Sequence, residues 1–350
     1  MSPSAFTSLG VLAASAAAIA CACGPRETGP ARAPLEVRVD GATVPRQARP
    51  PAPAPAGQER SPGENGPRTP ADLIGEVGRL APDPETTLFV NSREIRAHAW
   101  AEDLERAIAS VLVGWDQFMP RDLVHPIRDV DWVVMAGDLT LGHTDDNVFV
   151  ARYTFDEARA DAVTRDLLPR LEQSGDVALG IAGASAIHAR VDGADRAYVR
   201  AAPHVLAIVP QRQASAAATR IQSASVPDAP RPGELARLVT RSRAARRRLP
   251  EAIREVRAWL EPHDGRIALH VEGECPTDDA ARGALEELKL TIGVARSRTL
   301  VRVALGGILS RAKLSRDGRV VRATTEIDQG ELKRLVALTC SRTASCTDEP

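Results

Sequence analysis

Residues 24–70 are dominated by Pro, Gly, Ala and Arg, with Pro50-Pro51-Ala52-Pro53-Ala54-Pro55 at the centre. Such a run carries too little apolar surface to offset the entropy lost on ordering. Proline, with φ fixed and no N–H to donate, keeps it extended, close to polyproline II. A packed core must therefore be built from the residues that follow, from about Ala71 to about Thr339. Material is not limiting, because the 350-residue chain is 43% hydrophobic and 26% charged, an ordinary globular balance. The formal net charge of −1 supplies no overall field that would gather nucleic acid.

Ahead of the proline-rich run, residues 5–20 are small or apolar and uncharged, with Leu9, Val11, Leu12 and Ile19 the largest aliphatics. A bilayer-spanning helix needs about 20 strongly apolar residues, so this shorter, Ala- and Ser-rich stretch fits a signal-peptide core better. No Lys or Arg precedes it, which departs from the usual pattern. It ends Ala18-Ile19-Ala20-Cys21, which resembles the lipobox of bacterial lipoproteins, and Cys23, behind Ala20-Cys21-Ala22, is the alternative site. The resemblance implies cleavage before the cysteine and acylation of its new N-terminus. The expected organisation is a signal peptide over 1–20 and a lipidated, disordered tether over 21–70. The expected address is the cell envelope, with the lipid in a membrane. Ala22 points to the outer membrane, with the folded part facing the periplasm or the exterior.

Beyond the tether, periodicity predicts strands over Thr86–Asn91, Asp131–Gly137, Asn147–Tyr153, Ala186–Val191, Arg196–Ala201 and His204–Val209. Helices are predicted over Ala71–Leu80, Ala101–Val113 and Arg212–Gln222. Another runs from a Thr154–Glu157 capping box to about Gln173. Pro227–Pro232 breaks the chain. After it, helices are expected over Gly233–Leu249 and Pro250–Leu260, a strand over Arg266–Glu274 and a helix from Thr277 to about Ile292. A helix over Thr299–Ser310, a strand over Arg319–Ile327 and a helix over Gln329–Leu338 complete the pattern. Nine of the eleven aromatics fall between Phe89 and Tyr198, so one core is aromatic and the other aliphatic. The expected fold class is α+β, with antiparallel sheets covered by helices. The expected organisation is two related subdomains, 71–226 and 233–340, with a tail over 341–350.

The segment Ala81-Pro82-Asp83-Pro84-Glu85-Thr86-Thr87-Leu88-Phe89-Val90 resembles the opening of a family of exported bacterial lipoproteins that has no established activity. The ending Asp317-Gly318-Arg319-Val320-Val321-Arg322, followed by Asp328-Gln329-Gly330-Glu331-Leu332, resembles that family's closing strand and helix. The resemblance implies the envelope compartment and the α+β fold, and no cofactor or catalytic residue.

Candidate chemistry is sparse. His270, Glu272 and Glu274 share one face of a predicted strand, and one imidazole with two carboxylates is a candidate divalent-metal set. A solvated outer face is the competing reading, and no metal or other cofactor is expected. His143-Thr144-Asp145-Asp146 reads as a turn. The chain has no Gly-x-Ser-x-Gly elbow, no His-Glu-x-x-His and no phosphate-binding loop. Arg241, Arg243, Arg246, Arg247, Arg248, Arg254 and Arg257 form a basic cluster, read as a solvated helical surface. Cys275, Cys340 and Cys346 are disulfide candidates for an oxidising compartment, with Cys275–Cys340 and Cys340–Cys346 both open.

The first functional reading is therefore a lipid-anchored envelope protein with a non-enzymatic binding or structural role. Its partner would be an envelope protein, lipid or glycan, and not nucleic acid. An envelope hydrolase would instead bring several of His98, His125, His143, His188, His204 and His270 together with carboxylates. A lipid or glycan carrier would show an apolar groove between a sheet and its helices.

Overall fold

The computed structural model describes residues 68–340 except 110, 111, 113, 114, 139–145, 178, 180, 192, 248, 298–304 and 306. The fold is α+β and is built on a twelve-stranded sheet in which neighbouring strands pair antiparallel. Seven strands precede the proline break: β1 Thr86–Val90, β2 Val130–Gly137, β3 Val148–Tyr153, β4 Glu172–Asp176, β5 Ser185–Val191, β6 Ala194–Ala202 and β7 Val205–Pro210. Five follow it: β8 Ala236–Thr240, β9 Glu255–His263, β10 Arg266–Glu274, β11 Lys313–Asp317 and β12 Val320–Ile327. The order across the sheet is β11-β12-β10-β9-β8-β1-β2-β3-β7-β6-β5-β4. The stretches 71–226 and 233–340 thus meet at the β1–β8 pair, where Thr86 lies opposite Thr240 and Val90 opposite Ala236.

Burial follows strand position. β1, β2 and β8 are buried along their whole length, on both faces, which is why Leu88-Phe89-Val90 and Trp132–Ala136 run apolar without alternation. On one face, Leu88, Val90, Val133, Met135, Phe149 and Ala151 pack beneath several helices. These are α2 Ser92–Ala97, α3 Ala101–Ala109, α4 Trp115–Phe118, α5 Glu157–Leu167 and the C-terminal Gln329–Cys340. On the opposite face Phe89, Trp132, Val134 and Val150 are covered by α1 Pro70–Ile74, the 3₁₀ turn Gly75–Leu80 and α6 Ala214–Ser223. Along the second half, Ile253, Val256, Cys275 and Val321 pack against Ala281, Ala284 and Leu288 of the Asp278–Ser297 helix. The reverse face of β9, β10 and β12 carries Arg257, Trp259, His270, Glu272 and Arg322.

Two expected helices are strands. Ala236–Thr240 and Glu255–His263 are β8 and β9, and only Arg243–Arg246 between them is helical. Val256, Ala258 and Leu260 alternate with Arg257 and Trp259, a period of two. The arginines that mimic the polar stripe of a helix are buried instead on the sheet. Arg237 is held by Glu234 through bonds of 2.8 Å and 2.8 Å. Arg257 is held by Glu255 and Glu274, each at 3.0 Å, and by Glu272 at 3.3 Å. The helix expected from Thr154 to Gln173 begins after Asp156, whose carboxylate accepts the Arg159 N–H at 2.8 Å. It stops at Leu167 ahead of Pro169 and gives way to β4, and β11 is a further strand that periodicity did not single out. The β9–β10 hairpin turns on Asp264-Gly265, both at positive φ, as a two-residue primed turn requires.

Candidate functional site

A cavity of ≈ 210 Å³ lies between the sheet and α5. Period-two spacing brings Ala151 and Tyr153 of β3, Ile187 of β5, Tyr198 and Arg200 of β6, and Leu206 of β7 onto the face that lines it. The helix contributes Ala160, Val163, Thr164 and Leu167, the i, i+3, i+4, i+7 stripe of an amphipathic segment. Trp115, Met119, Val124 and Val130 close the inner end. Alanines at 151 and 160 leave space where larger side chains would have filled it. The two phenols inside are satisfied by the protein. Tyr198 donates to the Phe118 carbonyl at 2.7 Å, and Tyr153 donates to Glu157 at 2.8 Å. Burial raises both, Tyr153 to about 12, so neither ionises near neutral pH.

Charge gathers at the mouth. The Arg200 guanidinium donates to Asp161 at 2.7 Å and to Glu157 at 2.5 Å, so both of its Nη atoms are engaged. Glu157 also accepts the His204 N–H at 2.9 Å. Burial alone would raise the Glu157 carboxyl. The hydrogen bonds from His204, Arg200 and Tyr153 outweigh it and hold the group below the ordinary 4.5. Asp176, Thr164 and Ser185 complete the rim. Only Ala160 and Leu167 of α5 are fully buried. The helix is otherwise tied down by ion pairs, Arg200 to Glu157 and Asp161, and Arg159 to Asp129 at 2.9 Å.

The histidines do not converge. The nearest approach to a catalytic pair is His125, whose Nε2 lies 3.2 Å from Glu105. Its Nδ1, however, accepts the backbone N–H groups of Ile127 at 3.2 Å and Arg128 at 3.3 Å. With both ring nitrogens committed, no lone pair is left to take a substrate proton. His98 meets Trp100 edge-on at 5.2 Å, His204 lies 5.6 Å from Tyr153, and His188 abuts Gly175. His143 lies outside the described residues.

On the polar face of β10, the candidate metal set is distributed among protein partners. His270 stacks on Trp259 at 5.0 Å, and Trp259 lies beneath the Arg237 guanidinium at 4.7 Å. Glu272 accepts from Arg257 at 3.3 Å and from Arg322 at 3.0 Å, and Glu274 accepts from Arg257 at 3.0 Å. Among the described residues, no group of three or more His, Cys, Asp or Glu side chains is placed to hold a metal ion. The basic cluster is dispersed as well. Arg241 pairs with Asp83 at 2.5 Å, Arg246 caps the Arg241 carbonyl at 3.0 Å, and Arg257 is inside the sheet. Cys275 is a buried free thiol, and burial pushes it up. Cys21, Cys23 and Cys346, and the side chain of Cys340, lie outside the described residues.

Spacing alone did not single out the pocket residues, since they come from eight separate elements and the loops between them. The one trace is the crowding of aromatics between residues 89 and 198, which supplies Trp115, Tyr153, Phe155 and Tyr198 to the cavity wall.

No protein-family model and no curated protein matches the chain. Among solved structures, crystal form I of TP0453 superposes with a TM-score of 0.42 at 9% identity, over 77% of this chain and 98% of that one. Crystal form IV of TP0453 gives a TM-score of 0.41 at 10% identity, over 73% of this chain and 92% of that one.

Proposed function

We propose that this protein is a lipid-anchored, non-enzymatic binding protein of the bacterial cell envelope. Its ligand would be a single apolar chain or ring, held in the cavity beneath α5. The observation that supports the reading is the cavity: apolar and aromatic walls, both phenols already satisfied, and no histidine among its lining residues to activate the Ser185 or Thr164 hydroxyl at the rim. Size limits the occupant. A dry cavity of about 150 Å³ accepts a benzene molecule, so ≈ 210 Å³ suits one short alkyl segment rather than a whole two-chain lipid. Filling the space with Ala160→Phe is expected to abolish binding of a dodecyl amphiphile, read by native mass spectrometry and Trp115 fluorescence. Leu206→Trp serves as a second block should the first variant misfold. Unchanged binding in both folded variants would remove the pocket from the proposal.

The anchor is a separate part of the same reading. No helix among the described residues is long and apolar enough to cross a membrane, and the Ala18-Ile19-Ala20-Cys21 pattern supports attachment by acyl chains. Several chains give stable attachment, at about 0.8 kcal/mol per buried CH₂. Intact-mass analysis of membrane and soluble fractions is expected to find a chain beginning at Cys21, or at Cys23, with acyl additions, and in the membrane fraction. An unmodified full-length mass in the soluble fraction would sink the anchor and leave the pocket untouched.

A further inference from the structure

We infer that the pocket selects amphiphiles whose polar end carries no negative charge, and that fatty-acid anions are excluded; this rests on the binding role proposed above. An alkyl chain lying along Ile187, Leu206 and Val163 would leave its polar end at the rim. The charged groups there are Asp161, Asp176 and Arg200, with Glu157 on the same guanidinium. Three carboxylates against one guanidinium leave the rim at net −2. Arg200 is the one cation among the lining residues, and it is not vacant. It spans Asp161 at 2.7 Å and Glu157 at 2.5 Å, in the two-pronged arrangement a fatty-acid carboxylate would need for itself.

To reach either Nη an entering anion would have to displace one of these carboxylates, which would also release the ion pairs that seat α5, and the remaining donor, Nε, is buried away from solvent. Asp176 adds repulsion from the opposite side. It lies opposite Ile187 in the β4–β5 pair, Ser185 lies opposite Arg200 in the next, and the four residues therefore share the pocket face. A hydroxyl, amide or sugar end meets no such penalty. It can donate to Asp161, Asp176 or the Thr164 hydroxyl oxygen, whose own proton goes to the Ala160 carbonyl, and accept from Ser185.

The test compares monododecanoylglycerol with dodecanoate, each below its micellar concentration, on the full-length protein by calorimetry. The neutral ligand is expected to bind at least about tenfold more tightly, as like-charge juxtaposition commonly costs that much or more. The ratio should shrink as salt is raised, because the rim is solvent-accessible. Asp176→Asn, an exposed substitution on an edge strand, should lower the ratio by strengthening dodecanoate binding. Equal or tighter binding of dodecanoate, while the neutral ligand also binds, would overturn the selectivity and leave the pocket reading standing. Binding of neither would overturn both.

Discussion

Charge in this protein works through specific partners, and Glu157 illustrates how one residue can serve three. It accepts from Tyr153, Arg200 and the His204 backbone, so it couples α5 to β3, to β6 and to the β6–β7 turn. Its folded-state ionisation lies below the ordinary 4.5 because those donors favour the charged form over the opposing effect of burial. A depressed carboxyl stabilises the fold above its unfolded value, and that contribution disappears as pH falls through the folded value. The side chain is 47% exposed, so solvent screening limits the effect. Glu157→Gln is expected to cost about 1 kcal/mol at neutral pH. The gap from the unsubstituted protein should narrow as pH falls below 4.5 and close once pH has passed the depressed folded value, where both chains carry a neutral group at 157. Urea midpoints measured across pH 3–7 check this; a gap that stays constant with pH would show that the carboxylate's charge is not what holds the helix.

At the scale of elements, the sequence was most legible where one face is wet and the other buried. β10 alternates as a half-buried strand should, and Arg266–Glu274 is the span both expected and found. The hairpin strands of the first half and the helix beginning after Thr277 are likewise close to expectation. Legibility failed where charge entered the sheet. Arg237 and Arg257 are each only 3% exposed, yet their charges suggested the outer stripe of a helix. What neutralises them is contributed by Glu234, Glu255, Glu272 and Glu274, and the last two are on a neighbouring strand that no local window includes. The end of α5 departs from its periodicity for a related reason. Leu168 and Leu171 continue an apolar stripe, but Pro169 forces a 3₁₀ turn and the chain leaves as β4. The pocket was illegible because its wall is assembled from side chains far apart in the sequence. The Arg200 ion pairs that decide its charge bridge about forty residues.

For the whole molecule, the decisive feature is the seam between β1 and β8. Five residue pairs, from Thr86–Thr240 to Val90–Ala236, stitch the two stretches into one sheet, and the Thr86 and Thr240 hydroxyls share a hydrogen bond of 2.9 Å. The connection continues at both ends of the seam. The Asn91 N–H donates to Leu235 at 2.9 Å, and the Arg241 N–H donates to Glu85 at 2.7 Å. The helical layer repeats the crossing, since Gln329 of the C-terminal helix donates to Asp103 of α3 at 2.6 Å. β1 and β8 are buried on both faces, so separating the halves would expose backbone donors and acceptors of both strands along with apolar surface. That cost argues that neither half keeps its central strand without the other, and that residues 68–340 unfold as one cooperative unit. Pulsed hydrogen–deuterium exchange along a urea titration is the check. Peptides from β2–β3 and from β10–β12 should lose protection at the same urea concentration. Separate midpoints would mean that the seam can open while each half keeps its own core, and the continuous sheet would then be a docked pair of independently stable units.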